Sequence, residues 1–323
     1  MKLLVTGGAG YIGSATTQLL IEAGHEVVVL DNLSMGHAEA VPDGADFVEA
    51  DLLDAPAVGE VFRTHKPEGV LHFAASSLVH ESMRDPAKYF RNNVGGAVNL
   101  LEAMREASTR VIVFSSTAAT YGVPETMPIT EEMPTVPVNP YGESKLMVEK
   151  LLGWYHEIHG IRWVALRYFN ACGALGELGE DHDPETHVIP LVLLTALGRR
   201  ETFTIFGDDY PTPDGTCVRD YIHIRDLARA HVLALDEKAT GAYNLGTRTG
   251  NSVKEVIETA EKVIGRPIPH KIGPRRPGDP PSLVADHERV TRELGWRPEC
   301  STLEEIIESA WAWHSAHPDG YGG

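Results

Sequence analysis

The nine residues 5–13, VTGGAGYIG, constrain the fold more than any other stretch of the chain. The apolar run KLLV leads into them, and a helical period leaves them from about Ile12. Gly7, Gly10 and Gly13 recur every three residues, with Gly8 as a further small residue. A strand that turns this tightly into a helix exposes the first-turn N–H groups, and glycines let an anion come close to the backbone. GxxGxxG differs from the GxGxxG of the principal dinucleotide fingerprint, but the mechanics carry over. Taken alone, such a turn is also an ordinary strand-to-helix connection. The second apolar run, EVVVLD, ends in Asp31, eighteen residues past Gly13, where a carboxylate accepts both ribose hydroxyls and repels a 2′-phosphate. Strand, turn, helix, strand and carboxylate in this order predict dinucleotide binding, with NAD favoured over NADP.

The rest of the first half repeats the same rhythm. DFVEAD, a helical period near 57–64, VLHFA, a long helical period near 87–107, RVIVFSS, a helix from Tyr141 and RWVALRYFN follow in turn. Alternating strands and helices predict an α/β fold, a Rossmann-like doubly wound parallel sheet covered on both faces. After Asn170 glycine, proline and acidic residues thicken in GALGELGEDHDPE, GDDYPTPDGT and GPRRPGDPPS, with helical periods near 253–264 and 303–316 between the loops. The expected division is an NAD-binding domain over 1–170, to which a segment near 216–238 returns, and a smaller C-terminal α/β substrate domain over 171–323. A chain of 323 residues, 42% hydrophobic and 23% charged, is long enough for both cores.

A formal charge of −18 and a pI near 5.2 argue against nucleic acid as a partner, and no lysine or arginine run points to a membrane surface. The N-terminus enters strand and turn at once, leaving no room for a secretory signal, and no apolar run has membrane-spanning length. Cys172, Cys217 and Cys300 lie far apart without a metal spacing, so free thiols in a reducing cytoplasm are expected. None of the fifteen histidines falls in an HxxxH or similar pair with carboxylate support, and no metal is expected. Cys172 and His187 are read as packing or hydrogen-bonding residues, since neither base nor metal partner is evident.

Two further stretches carry chemistry. RVIVFSSTAATYG runs an apolar strand into Ser115, Ser116 and Thr117, at the sheet edge where ligands bind in open α/β folds. In NPYGESKLMVEK, Asn139 caps a helix, Pro140 suits its first position, and Leu146, Val148, Leu151 and Leu152 supply a core face. Tyr141 and Lys145, four apart, share one side of that helix. A lysine beside a phenol favours phenolate, so Tyr141 is the expected base, Lys145 its tuner and a strand hydroxyl the substrate's hydrogen-bond partner.

Those motifs, together with DNLS, LHFAA, NNVGG, RYFNACGA, YNLGT and the long IFGDDYPTPDGTCVRDYIHIRDLA, resemble the extended short-chain dehydrogenase/reductase superfamily, and within it the UDP-glucose 4-epimerases (UDP-galactose 4-epimerases). The resemblance spans essentially the whole chain. It implies an isomerase of galactose and nucleotide-sugar metabolism that interconverts UDP-galactose and UDP-glucose. Tyr141 takes the proton of the sugar's 4-hydroxyl while C4 passes hydride to NAD. The 4-keto sugar then turns over and receives the hydride on its other face. Thr117 matches the residue that bridges the 4-oxygen, and Lys145 the lysine at the nicotinamide ribose. Implied cofactor positions are Gly7, Gly10, Tyr11, Ile12, Gly13, Asp31, Asn32, Asp51, Leu52, Phe73, Ala74, Asn92, Ser115, Tyr141, Lys145 and Tyr168. Implied UDP-sugar positions, beside Thr117, are Asn170, Val188, Phe206, Arg219, Tyr221, Arg276 and Asp279. The family dimerises through helices, here those near 87–107 and 141–159, so a homodimer is implied.

The arginines fit this reading on charge alone, because an acidic protein needs concentrated cations to hold a pyrophosphate. An ion pair with Asp220 is the alternative for Arg219. Departures from the family pattern fall at Ser77, where a lysine near the NAD pyrophosphate is usual, and at Leu283. The latter is the position that gates N-acetylated sugars, so their acceptance stays open. Sugar-nucleotide dehydratases place Asp-Glu after the active-site threonine, whereas Ala118 and Ala119 stand here and cannot transfer protons. A UDP-glucuronate decarboxylase expects a nearby glutamate and a positive pocket, a dehydrogenase exchanges its cofactor freely, and an NAD-sensing regulator lacks the Tyr/Lys pair.

Overall fold

In the computed structural model, which describes residues 1–276 and 279–322, the first apolar runs form a parallel sheet. Its strands are β1 (Lys2–Thr6), β2 (Glu26–Asp31), β3 (Ala45–Glu49), β4 (Gly69–His72), β5 (Val111–Thr117) and β6 (Arg162–Tyr168). The helices between them are α1 (Tyr11–Glu22), α2 (Ala55–His65), the short α3 (Val79–Ser82) and α4 (Pro86–Tyr89), α5 (Gly96–Ala107) and α6 (Pro140–His159). The single long helix expected near 87–107 is interrupted by a π-helical stretch, Phe90–Gly95, which carries Asn92 and Asn93. Helix α6 begins as its sequence dictates: the Asn139 side chain accepts from the Gly142 N–H at 2.8 Å, Pro140 takes the first position, and Gly160 ends the helix in the left-handed region.

Beyond Asn170 the elements shorten. They are β7 (Asn170–Cys172), α7 (Val188–Ala196), β8 (Phe203–Phe206), β9 (Val218–Arg219), β10 (Tyr221–His223) and α8 (Ile224–Leu233). Next come β11 (Gly241–Leu245), β12 (Asn251–Ser252), α9 (Val253–Ile264), β13 (His270–Gly273), β14 (Ser282–Leu283), α10 (Glu288–Leu294) and α11 (Leu303–Ala316). The chain returns to the large sheet through β11, which pairs with β6, and the sheet order becomes β11-β6-β5-β4-β1-β2-β3. Helix α8 packs beside α1 on the same sheet.

Alternation along the strands builds two cores. Leu3, Val5, Val27, Val29, Leu71 and Val113 face one way, toward α1 and α8. Leu4, Val28, Leu30, Val70, Ile112 and Phe114 face the other, toward α2, α5 and α6. A third cluster, with Ile189, Val192, Ile257 and Ile307, joins α7, α9 and α11. Each fully buried aliphatic side chain contributes about 1.5–3 kcal/mol of transfer free energy, so these layers fix the sheet's frame.

The chain order reverses between β1 and β4, and the crevice at their carboxyl ends is where open α/β sheets bind ligands. Gly7 (φ +75) lies against that crevice, and a Cβ there would stand 2.5 Å from the Ala74 nitrogen just past β4. A Cβ on Gly13 would collide with the Gly7 carbonyl. Gly13→Ala should therefore lower the unfolding free energy by roughly 1–3 kcal/mol, as overpacking does. Urea titration checks this, and an unchanged midpoint would contradict the close packing of turn and helix.

Candidate active site

The carboxyl ends of β1, β2, β4 and β5 open into a cleft of about 1130 Å³. All sixteen implied cofactor positions line it: Gly7, Gly10, Tyr11, Ile12, Gly13, Asp31, Asn32, Asp51, Leu52, Phe73, Ala74, Asn92, Ser115, Tyr141, Lys145 and Tyr168. Asp31 is buried at the end of β2, its carboxylate accepting from the Ala9 N–H at 3.1 Å and the Leu33 N–H at 2.9 Å. Burial raises its pKa, and the backbone donors pull the other way. Asp31 thereby ties the glycine turn to β2. Asn32 donates to Asp51 at 2.9 Å, linking the second and third strand ends. The tight turn, the cradle that no Cβ could share and the carboxylate at the end of β2 together fit a dinucleotide.

The SST run divides by strand alternation. Ser115 and Thr117 line the cleft, while Ser116 donates to Glu149 behind it at 2.5 Å. Ser115 shares a short hydrogen bond with the Tyr168 hydroxyl. Thr117 accepts from the Ala119 N–H at 3.1 Å, which fixes its hydroxyl at the cleft wall. Tyr141 packs edge-on to Tyr89, with ring centroids 6.4 Å apart.

The expected depression of the Tyr141 phenol is not found. Burial raises it, and its hydrogen bond with Thr117 opposes that rise. The reason lies in where Lys145 goes: its ammonium donates to the Ser115 carbonyl at 2.9 Å and stands over the Phe114 ring. Burial lowers the Lys145 pKa to about 7, with the Glu149 carboxylate opposing.

Behind the pair stands Glu149, which none of the sequence motifs above singles out. It lies one helical turn beyond Lys145, and Arg167 of β6 donates to it from Nε at 2.9 Å. Arg167 also donates to the Tyr121 hydroxyl at 2.9 Å, which donates to Asn244 at 2.7 Å. The YxxxKxxxE spacing was the available signal, since all three residues share one helix face.

A second cavity of about 370 Å³ adjoins the cleft, and Asn170, Arg219 and Asp279 line both. Val188, Phe206, Tyr221 and Arg276 complete the implied UDP-sugar set there. Arg219 pairs with Asp279, not with Asp220. Asp220 is fully buried and accepts from Thr247 and the Ala285 N–H, so it is not free to meet Arg219. The Arg276 guanidinium stacks over Phe206, 4.0 Å from the ring centroid. Ser77 and Leu283 both line the cleft.

Residues 3–246 match the NAD dependent epimerase/dehydratase family. The chain belongs to that family. It is 53% identical to a UDP-glucose 4-epimerase of Halalkalibacterium halodurans, over 99% of this chain and 98% of the relative. The solved UDP-glucose 4-epimerase of Brucella ovis in complex with NAD superposes with a TM-score of 0.93 at 50% identity, covering 96% of this chain and 97% of that one. The enzyme of Bifidobacterium longum, solved with NAD+ and UDP, superposes with a TM-score of 0.94 at 39% identity, covering 99% and 100%. In this chain the YxxxK pair, Tyr141 and Lys145, lies beside the glycine-turn cleft.

One expectation about histidines is corrected. In the loop between β7 and α7, His182 and His187 both face carboxylates, those of Glu180 and Glu185. The spacing is irregular because the segment is a loop, so a helical template passes over it. Burial would raise the Glu180 pKa, but His187 and His182 bring it down to about 2. Burial would lower the His187 pKa, and Glu180 and Glu185 carry it well above its ordinary value. Cys172 is buried and donates to the Ile222 carbonyl at 3.3 Å, a packing role as expected.

The Lys145 pKa makes a pH prediction. Its folded value, about 7, lies below the ordinary 10.5, so between those values the unfolded chain binds more protons and stability rises with pH. Across that window the unfolding free energy of the wild type should gain on that of Lys145→Met as pH increases. A constant difference in paired urea titrations would contradict the shift.

Proposed function

We propose that the protein catalyses reversible 4-epimerisation of UDP-galactose and UDP-glucose, holding NAD as a resident cofactor. The observation that carries this reading is the meeting of the two cavities at Asn170, Arg219 and Asp279, with Tyr141, Thr117 and Lys145 on the wall of the larger one. The smaller cavity takes the UDP moiety: Arg219 and Arg276 face its pyrophosphate, and Val188, Phe206 and Tyr221 frame the remainder. Its length carries the sugar into the cleft. Thr117 hydrogen-bonds the 4-oxygen while Tyr141 removes its proton as C4 loses hydride, giving the 4-keto sugar, and Tyr141 returns that proton to the oxygen when hydride comes back to C4. When bound, NAD supplies a hydride acceptor and donor at C4.

Burial raises the Tyr141 phenol, so it takes up the 4-hydroxyl proton only from its phenolate form and holds that proton until the return step, with Lys145, lowered to about 7 by burial, on the same cleft wall. Ala118 and Ala119 offer no acid or base after Thr117, which disfavours elimination of water. In this reading residues 1–170 with the returning segment form the cofactor domain and 171–323 the UDP-sugar domain. The enzyme works in the cytoplasm. Tyr141→Phe should bind NAD as the wild type does while kcat falls by a factor on the order of 10² or more. Near wild-type turnover in that variant would remove Tyr141 as the base.

The active form is a homodimer. Met147, Trp154 and Ile158 on α6 are 37%, 65% and 67% exposed, and Val98 on the adjoining α5 is 36% exposed. Their spacing on α6 makes an apolar stripe fit for a four-helix contact. Trp154→Arg should convert the protein to a monomer in light scattering at micromolar concentration. An unchanged mass would place the interface elsewhere.

A further inference from the structure

The loop between β7 and α7 gathers four side chains that the epimerisation chemistry does not use. We propose that Glu180, His182, Glu185 and His187 form a site for one divalent transition-metal ion of the zinc class. Their ligand atoms all lie within 4.8 Å of one another. His187 Nδ1 stands 2.8 Å from Glu180 Oε1 and 2.9 Å from Glu185 Oε1. His182 Nδ1 stands 3.3 Å from Glu180 Oε1 and 3.8 Å from Glu185 Oε2. A tetrahedral zinc with bonds of about 2.0–2.2 Å holds its ligands roughly 3.3–3.6 Å apart, within the observed spread. The observed separations of 2.8–3.8 Å bracket that range, so small side-chain shifts bring the four donors onto a single central ion.

Three further observations point to a cation. His182 Nδ1 is buried and finds no hydrogen-bond partner among the described residues, although it aims at both carboxylates. The Glu180 and Glu185 side chains are only 5% and 10% exposed, and carboxylates held out of water are stabilised by positive charge, which the two imidazoles supply when protonated and a metal ion would supply in place of their protons. A divalent ion neutralises both. Two imidazole and two carboxylate donors select zinc and its transition-metal neighbours over magnesium or calcium, which prefer oxygen alone. The His187 side chain is 49% exposed, which leaves an entry path.

The site also has a structural consequence. His187 stands immediately before α7, whose first residue is Val188, and Glu180 and His187 line both cavities. A bound ion therefore clamps the loop to the helix that walls the smaller cavity. This is a positioning role and takes no part in proton transfer. It stands independently of the assignment of Tyr141.

The test uses the full-length protein, stripped with a chelator and titrated with Co2+. The expected result is one equivalent bound with the visible absorption intensity of a tetrahedral site, displaced stoichiometrically by Zn2+. His182→Ala/His187→Ala should abolish the band, and Glu185→Gln should weaken Co2+ binding at least tenfold. If the double variant fails to fold, the wild-type titration and Glu185→Gln still decide. Absence of a tetrahedral band at one equivalent would overturn the proposal and leave two imidazolium–carboxylate pairs. A band unchanged in the variants would overturn it too, by locating the metal elsewhere.

Discussion

The close approach between the β1–α1 turn and the end of β4 sets the position of everything else at the site. Gly7 packs so tightly on Phe73 and Ala74 that no side chain fits between them. The turn is held from the other side by Asp31, which accepts the Ala9 N–H at the end of β2. Three consecutive strands of the sheet are thus locked at their carboxyl ends around one small loop. From there β5 presents Ser115 and Thr117, and α6 crosses with Tyr141 and Lys145. The Tyr11 hydroxyl donates to the Gly173 carbonyl at 2.6 Å, which ties the same turn to the loop-rich half. The same turn therefore ties the large cleft to the loop-rich half that carries the smaller cavity.

Electrostatics complete the arrangement locally. With a formal charge of −18, the protein's overall field opposes a dianionic ligand, so recognition has to come from cations held at short range. The proposed cations, Arg219 and Arg276, are held in place by Asp279 and by the Phe206 ring. Lys145 is different, being almost wholly buried. Its cation is supported by Glu149, which in turn is shared with Arg167 and Ser116. Removing either member of the buried Glu149–Arg167 pair would strand a charge, a loss of about 3–5 kcal/mol in comparable sites. The proposed base and its lysine thus rest on a polar network behind the strand.

Much of this was legible in the sequence because it depends on short-range patterns. Period-two apolar runs gave the strands, the Asn139–Pro140 start gave α6, and Gly7, Gly13 and Asp31 gave the cleft. What escaped depends on long-range packing. The pairing of Arg219 with Asp279 spans sixty residues, and Asp220 is diverted into a buried hydrogen-bonding role that no local rule announces. The direction in which Lys145 points is set by the Ser115 carbonyl on a different strand. The gathering of Glu180, His182, Glu185 and His187 follows from a loop fold with no period to read. The π-helical interruption before α5 likewise has no spacing signature.

Epimerisation through bound NAD requires that one hydrogen leave C4 of the sugar and return to it within the same site. Its most direct test follows UDP-galactose deuterated at C4 in ordinary water, with the purified protein and no exchangeable nucleotide in solution, by proton NMR and mass spectrometry. The account predicts that UDP-glucose accumulates to a stable ratio with the deuterium kept at C4. Deuterium lost to solvent would mean proton abstraction at carbon instead of hydride transfer, and would contradict the account.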